Sequence, residues 1–172
     1  MHKIARLDHR YVWHPFTQMR DWLRLEPITI ASGKGAVLRD VHGKSYLDAN
    51  ASIWTNLHGH RHPKINNAIR RQLARISHSS ALGLSNEPAS LLAEKLVLAA
   101  NEPGAGRRAV SSDKERCLTK VFYSDDGATA IEVALKLAYE FARRSRSNPR
   151  PKFLSLAGGY HGDTVGAVSL GG

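Results

Sequence analysis

One stretch of the chain, residues 121–156, alternates between strand-like and helix-like patterns, and it constrains the fold more than any other feature. Residues 121–123 and 153–156 are short apolar runs that are typical of buried strands. Between them, residues 128–143 carry apolar side chains at helical spacing: Ile131, Ala134, Leu135, Ala138 and Ala142. A strand, a helix and a strand in this order form a right-handed crossover with parallel strands. The sequence therefore predicts an α/β fold, and because two strands make a poor sheet, we expect that fold to be incomplete.

The segments before this unit predict further elements. A small antiparallel meander is expected over residues 28–49, where three apolar runs at 28–30, 36–38 and 45–47 are separated by turn sequences that contain glycine. Pro63 and Asn86 then open two predicted helices. The first 25 residues show no clear period, and residues 101–117 are typical of a long surface connection. On the predicted helix at 128–143, Glu132, Lys136 and Glu140 are expected to face solvent and pair with one another.

Composition excludes several classes of protein. The chain has 172 residues, of which 42% are hydrophobic, and this is too apolar for a mainly disordered protein. A single cysteine, Cys117, excludes an internal disulfide and is typical of a reducing compartment. No apolar run approaches the roughly 18 residues of a membrane-spanning helix, and no signal-peptide pattern opens the chain, so we expect a cytoplasmic protein. The net charge of +10 favours an anionic ligand such as a phosphate ester, nucleic acid or an acidic partner.

The junction between the first predicted strand and its helix contains the strongest candidate for a binding site. In this turn, Gly127 and Ala128 would present unpaired backbone amides at a helix start, where an anion such as phosphate is favoured. Gly127 has no Cβ to obstruct the anion. The alternative is that Asp125 or Asp126 simply caps the helix, and from spacing alone that interpretation is the more common one.

A second candidate segment follows the second predicted strand. Residues 157–164, Ala-Gly-Gly-Tyr-His-Gly-Asp-Thr, form a glycine-rich loop that would lie at the same edge of the sheet as Gly127. An aromatic ring at Tyr160 beside a phosphate-binding turn indicates a flat, phosphorylated ligand. Considered by itself, this loop is equally typical of a surface turn with one exposed tyrosine.

Four motifs together resemble one family, the class III, fold-type I aminotransferases that use pyridoxal phosphate. They are Trp-His-Pro-Phe-Thr-Gln-Met at 13–19, Ala-Ser-Ile-Trp-Thr-Asn-Leu-His-Gly-His at 51–60, Tyr-Ser-Asp-Asp-Gly-Ala-Thr-Ala at 123–130 and Gly-Tyr-His-Gly-Asp-Thr at 159–164. The resemblance runs from about residue 13 to residue 172, with an interruption around 104–117. The first motif is similar to the branch of the family that serves biotin biosynthesis, and the last two mark the wider class.

The resemblance implies a fold and a set of binding residues. Residues 1–60 would belong to a small domain and residues 61–172 to the first part of the large cofactor domain, an α/β/α layered structure. Gly127 and Ala128 would bind the cofactor phosphate, and Tyr160 would contact both the pyridine ring and the substrate. Phe16, Ile53 and Trp54 would contact the keto acid and the amino donor. The family also implies a homodimer with small-molecule substrates.

Three residues depart from the pattern of the family. Asp126 stands where serine is common beside the phosphate, and a carboxylate there would repel the ester unless it turns away to cap the helix. Phe16 replaces a tyrosine, and Ile53 replaces a tryptophan, that are common in members whose amino donor is S-adenosylmethionine. The resemblance therefore implies amino transfer to 8-amino-7-oxononanoate from either S-adenosylmethionine or lysine.

No catalytic residue is expected within this chain. Class III chemistry needs a lysine that links covalently to the cofactor and an acidic partner for its ring nitrogen. None of the nine lysines stands in a position that matches that role. We therefore expect the chain by itself to be inactive in amino transfer.

Four alternatives compete with this interpretation. His58, His60 and His62 alternate as ligands on one face of a strand would, although Gly59 and Pro63 break strand regularity, so no metal is expected. Arginine clusters could bind nucleic acid, but no recognised module accompanies them, and we expect neither nucleic acid nor membrane as a partner. These arginines are Arg70, Arg71, Arg75, Arg107, Arg108, Arg143, Arg144, Arg146 and Arg150. The chain could also be another class III ω-aminotransferase, or a non-catalytic assembly module.

Overall fold

The computed structural model describes residues 1–102, 117–145 and 150–171, and it divides into two compact units, Met1–Ser79 and Ser80–Gly172. The predicted connection at 101–117 and the basic segment at 144–150 lie largely outside the described residues. The first unit contains α1 (Lys3–Tyr11), α2 (Met19–Trp22), β1 (Ile30–Lys34), β2 (Val37–Asp40), β3 (Ser45–Leu47), α3 (Ala51–Trp54) and α4 (Pro63–Arg75). The second contains α5 (Glu87–Asn101), α6 (Gly127–Arg144) and α7 (Val165–Ser169).

The amino-terminal segment is helical, which the sequence did not predict. The His2 side chain caps α1 by accepting a hydrogen bond from the Ile4 amide at 3.2 Å. Ala5 is buried, whereas the larger apolar residues of this helix stay exposed. Because a histidine cap is uncommon and the apolar residues are few, the usual signals for a helix start are weak here.

The predicted meander is confirmed. Its three strands pair in the order β1–β2–β3, and both pairs are antiparallel. The first strand lies slightly later than predicted, at Ile30–Lys34, and a bulge between Ile30 and Ser32 shifts its register on β2. Gly35, at φ +57°, lies in the turn between β1 and β2, where a positive φ favours glycine.

The turn between β2 and β3 is fixed by the buried carboxylate of Asp40. This carboxylate accepts hydrogen bonds from the amides of His42 and Lys44, both at 2.9 Å, and from the Tyr46 hydroxyl at 2.8 Å. Gly43 takes up the positive φ of +83° that the turn requires. The glycine-containing turn predicted between the runs at 36–38 and 45–47 is therefore confirmed, with one aspartate satisfying three donors.

The second unit has the predicted helices but not the predicted parallel strands. The helix predicted after Asn86 forms as α5, and the Asn86 side chain accepts from the Ala89 amide at 3.0 Å. The helix predicted at 128–143 forms as α6. Residues 121–123 and 153–156, however, lie outside any sheet in the part of the chain that the structure describes. The strand prediction is wrong here because a ladder needs a neighbouring strand, and these two segments are not paired with one.

The chain buries very little apolar surface. Among the described residues, only Ala5 and Ala167 are buried hydrophobic side chains. Apolar faces of α4, α5 and α6 are consequently open to solvent. No helix among the described residues is long and apolar enough to cross a membrane.

Candidate functional site

The start of α6 is organised by Asp126. The Asp126 carboxylate accepts from the Thr129 amide at 2.7 Å, and the Thr129 hydroxyl oxygen accepts from the Asp126 amide at 3.0 Å, which completes a capping box. The amide and the hydroxyl of Thr129 hold the pKa of Asp126 below its ordinary value, with a smaller effect from the Ala128 amide. Of the two alternatives for this turn, capping by Asp126 is confirmed.

The cap leaves space in front of Gly127. A Cβ added to Gly127 would meet nothing within 4 Å. No hydrogen bond of the Gly127 amide is found among the described residues. The nearby Asp126 carboxylate already faces the Ala128 amide. The turn can therefore accept a phosphate at its open side, but a fixed negative charge stands beside the position that the anion would take.

The glycine-rich loop packs directly on this helix start. A Cβ added to Gly162, which has φ +128°, would come within 2.5 Å of the Ala128 Cβ and 2.7 Å of its Cα. Only glycine allows so close an approach at this backbone conformation. The candidate phosphate turn and the loop that carries Tyr160 are therefore neighbours within the second unit.

Tyr160 itself is available for a ligand. Its side chain is 77% exposed, and its hydroxyl donates a hydrogen bond to Asp163 Oδ2 at 2.8 Å. The Asp163 carboxylate raises the pKa of Tyr160 above its ordinary value, partial burial adds to this, and the charge of Asp126 contributes in the same direction. Tyr160 and His161 line a cavity of about 330 Å³ whose other walls are Gly158, Gly159, Gly162, Val168 and Gly171.

Glu132 joins the loop to α6, a role that sequence reasoning missed. Its carboxylate accepts from the amides of Gly166 at 2.6 Å and Ala167 at 3.2 Å, at the start of α7. The Thr164 hydroxyl, followed by these amides, holds the pKa of Glu132 below its ordinary value. The expected pairing of Glu132 with Lys136 is therefore wrong, because unpaired amides at a helix start bind a carboxylate more strongly than an exposed lysine does. The sequence signal for this contact is Gly166, because a Cβ at that position would overlap the Glu132 carboxylate.

The arginines near the end of α6 are paired, not free for nucleic acid. Glu140 accepts from Arg143 Nη2 and from Arg144 Nε, both at 3.0 Å. Arg107, Arg108 and Arg146 lie outside the described residues. Two members of the predicted basic cluster thus have an acidic neighbour on their own helix, which lowers their attraction for phosphate.

In the first unit, the three residues predicted to contact substrate share an unusual backbone. Phe16, Ile53 and Trp54 have φ of 50°, 58° and 65°. Their side chains are 94%, 67% and 87% exposed, respectively. Positive φ is uncommon for residues with a side chain, and for a β-branched isoleucine it is an outlier. Residues held in sparsely populated backbone conformations cluster at active sites and ligand contacts.

Each of these segments is held by a pair formed by an aspartate and a histidine. His14 Nε2, two residues before Phe16, contacts Asp8 Oδ2 at 2.9 Å, and Asp8 also accepts from Trp22 Nε1 at 3.0 Å. His60 Nε2 contacts Asp48 Oδ2 at 2.8 Å. His60 is thus engaged by a carboxylate, and no group of three or more potential metal ligands occurs in the described residues.

A family model described as aminotransferase class-III matches residues 20–172. The chain belongs to the class III aminotransferases. Members of this family depend on pyridoxal phosphate, and the match includes both loops of the second unit. The open space at Gly127 and the neighbouring exposed ring of Tyr160 fit a flat phosphate ester, with the Asp126 charge as the one unfavourable feature.

Several similar curated proteins carry the name adenosylmethionine-8-amino-7-oxononanoate aminotransferase. The protein from Anoxybacillus flavithermus is 49% identical over 99% of this chain and 34% of its own length. The protein from Aquifex aeolicus is 44% identical over 98% of this chain and 34% of its own length. The chain therefore spans about a third of the length of the relatives it matches.

Two solved structures show the fold. The crystal structure of adenosylmethionine-8-amino-7-oxononanoate aminotransferase from Methanocaldococcus jannaschii matches 97% of this chain and 35% of that protein, with a TM-score of 0.85 and 44% identity. The ω-transaminase from Pseudomonas jessenii in complex with PMP matches 98% of this chain and 34% of that protein, with a TM-score of 0.82 and 28% identity. The chain has the fold of part of a fold-type I transaminase, which confirms the predicted fold class.

Proposed function

We propose that this chain is the amino-terminal part of a pyridoxal-phosphate-dependent aminotransferase of biotin biosynthesis. The complete enzyme would move an amino group from S-adenosylmethionine or lysine to 8-amino-7-oxononanoate and so form 7,8-diaminononanoate. The names of relatives that are 44–49% identical across nearly the whole chain support this substrate. The observation that carries the proposal is the packing of the Tyr160 loop on the helix start at Ala128.

In this proposal, the second unit holds the cofactor. The backbone amides of Gly127 and Ala128 would bind its phosphate, and the ring of Tyr160 would lie against its pyridine. The cofactor supplies the electron sink for the chemistry, and the protein supplies orientation and charge. The bond from the Tyr160 hydroxyl to Asp163 fixes the ring, and Glu132 fixes the far end of the loop on α6.

The first unit would contribute apolar contacts to the substrates. Phe16, Ile53 and Trp54 are exposed in the described structure and would recognise the carbon chain of the keto acid and the amino donor. In the second unit, Tyr160 would also contact substrate. No residue of this chain is assigned a catalytic role, and the homodimer and the cytoplasmic location stay predictions.

A second candidate is a different class III ω-aminotransferase. The Pseudomonas jessenii ω-transaminase has a TM-score of 0.82 to this chain. Phe16 and Ile53 also favour apolar contacts over polar ones. Competition between 8-amino-7-oxononanoate and simple aliphatic ω-amines for the same protein separates the two candidates.

A titration of the isotope-labelled full chain with pyridoxine 5′-phosphate tests the cofactor site, because this analogue has no aldehyde that would react with lysines. We expect chemical-shift changes at the amides of Gly127 and Ala128 that pyridoxine without phosphate does not produce. Gly127→Ala, which adds a methyl group where no neighbour lies within 4 Å, should fold and weaken these changes. Ser124→Ala serves as the matched control. Equal shifts with both ligands would refute phosphate binding at this turn.

A further inference from the structure

The turn formed by α3 is left-handed. Ala51, Ser52, Ile53 and Trp54 have φ of 50°, 50°, 58° and 65°, and the Trp54 amide donates to the Asn50 carbonyl at 2.9 Å. Each residue in this conformation costs about 1–2 kcal/mol relative to a right-handed turn. None of the four is glycine, so the strain is carried by residues with full side chains. Such a segment persists only where its surroundings determine it strongly.

The Asp48 carboxylate holds the turn in this conformation. Its Oδ1 accepts from the Ser52 amide at 2.8 Å, and its Oδ2 accepts from the Ser52 hydroxyl at 2.8 Å. The same Oδ2 lies 2.8 Å from His60 Nε2. The Asp48 side chain is only 5% exposed, so its carboxylate is largely shielded from water, and charge-assisted hydrogen bonds to it are stronger than neutral ones. Two of them are made to Ser52, which is inside the strained turn.

His60 in turn is fixed to the sheet. Its backbone forms a bridge with Gly35, with the His60 amide donating at 2.8 Å and the Gly35 amide donating at 3.0 Å. The ring lies close to Gly33, where an added Cβ would come 2.9 Å from His60 Cγ. Asn56 Nδ2 lies 2.6 Å from His60 Nδ1. A neutral imidazole with its proton on Nε2 donates to Asp48 and accepts from Asn56, so one tautomer satisfies both partners.

These contacts form a continuous path from the meander to the exposed pair Ile53 and Trp54. Removing Asp48 would remove both hydrogen bonds to Ser52. The conformational free energy of the left-handed turn would then no longer be offset by these bonds. We propose that Asp48, oriented by His60, is a positioning residue that holds this turn left-handed and thereby sets where Ile53 and Trp54 project. The identification of these two side chains as substrate contacts rests on the proposed function, whereas the positioning does not.

The test compares variants of the full chain by the backbone conformation of Ser52 and Ile53. A positive φ gives a strong nuclear Overhauser effect between the amide and Hα protons of the same residue, and a right-handed or extended residue gives a weaker one. We expect Asp48→Asn, which keeps the shape but removes the charge, to reduce this signal severalfold. Asp21→Asn is the matched control, since the exposed Asp21 side chain pairs with Arg24 and makes no contact with the turn in the described part of the chain.

A rescue variant separates positioning from general loss of folding. Ile53→Gly removes the Cβ from one strained position, so adding it to Asp48→Asn should restore the signal at Ser52. Loss of the amide signals of β1–β3 in Asp48→Asn would mean that this variant does not fold, and Ser52→Ala then decides. Ser52→Ala deletes only the hydrogen bond of the hydroxyl and should still reduce the signal at Ile53. An unchanged signal in Asp48→Asn, or in Ser52→Ala where that variant decides, would overturn the proposal.

Substrate binding is measured in a separate experiment. Binding of 8-amino-7-oxononanoate and of S-adenosylmethionine is followed by the indole N–H signal of Trp54, which is assigned with Trp54→Phe. We expect affinity to fall severalfold in Asp48→Asn and to be unchanged in Asp21→Asn. If neither compound perturbs Trp54 in the unaltered chain while the turn still depends on Asp48, the positioning stands and the substrate role in the proposed function fails.

Discussion

Gly162 lies so close to Ala128 that a single added carbon at position 162 would come within 2.5 Å of the Ala128 Cβ. This approach joins the loop of Tyr160 to the helix start at Gly127. It is the basis for treating two separate sequence motifs as one surface.

Gly162→Ala should separate the loop from the helix. The new Cβ would overlap Ala128, and overpacking of this kind costs about 1–3 kcal/mol. Gly158→Ala is the matched control, because Gly158 has φ +70° in the same loop but no atom within 4 Å of an added Cβ. Amide hydrogen exchange at Ala128 and Thr129 measures the effect. The same increase in both variants would mean that backbone strain, and not the contact, is responsible.

Asp126→Ser should strengthen phosphate binding at Gly127. Serine still caps the helix but carries no charge, so removing the negative charge should raise the affinity for pyridoxine 5′-phosphate about two- to fivefold. The adjacent Asp125→Ser is the control, since the Asp126 carboxylate makes the capping bond to Thr129. Affinity is measured by titration at low salt, where electrostatic effects are largest. A weaker affinity in Asp126→Ser would contradict the assigned repulsion.

Acid should release α7 from α6 through Glu132. Its hydrogen bonds hold the pKa of Glu132 below the ordinary value of 4.5, so the folded state favours the charged carboxylate. The stabilisation is therefore fully present above pH 4.5 and is lost as the pH falls through the lower pKa of the folded state. The amide shifts of Gly166 and Ala167 between neutral pH and pH 3 report the release. Glu132→Gln should remove this pH dependence.

Ile53→Gly should stabilise the first unit. Glycine adopts a positive φ without steric cost, and this should raise the free energy of unfolding by about 1 kcal/mol. The greater conformational freedom of glycine in the unfolded chain reduces that gain. Ile53→Ala, which keeps the Cβ, should show no such gain. Urea unfolding followed by circular dichroism compares the two variants. A loss of stability in Ile53→Gly larger than in Ile53→Ala would show that the turn is not strained.

Local patterns predicted the elements whose signals are contained within a few residues. The meander, the Asp40 turn and the helices at Pro63, Asn86 and Gly127 carry their own turn and cap residues, and all of them form. The strands at 121–123 and 153–156 do not pair, since a strand depends on a neighbour that local sequence does not specify. The role of Glu132 was missed for the same reason, because its partners at Gly166 and Ala167 are distant in sequence.

The candidate site was predicted in part. The sequence identified the turn at Gly127 and the loop of Tyr160, and resemblance supplied their roles, which stay predictions. The left-handed turn at 51–54 could not be predicted, because none of its residues is a glycine or asparagine that would signal a positive φ. Its cause is the carboxylate of Asp48, whose contacts to Ser52 and His60 become visible only in three dimensions.

Gly127, Ala128 and Tyr160 are proposed to bind one phosphorylated aromatic ligand together. The most direct measurement is the set of intermolecular nuclear Overhauser effects between pyridoxine 5′-phosphate and the labelled full chain. We expect contacts from the pyridine ring to the ring of Tyr160, together with shifted amides at Gly127 and Ala128 that saturate at the same ligand concentration. Contacts to Tyr160 without any change at these amides, or amide shifts with the ring bound elsewhere, would contradict it.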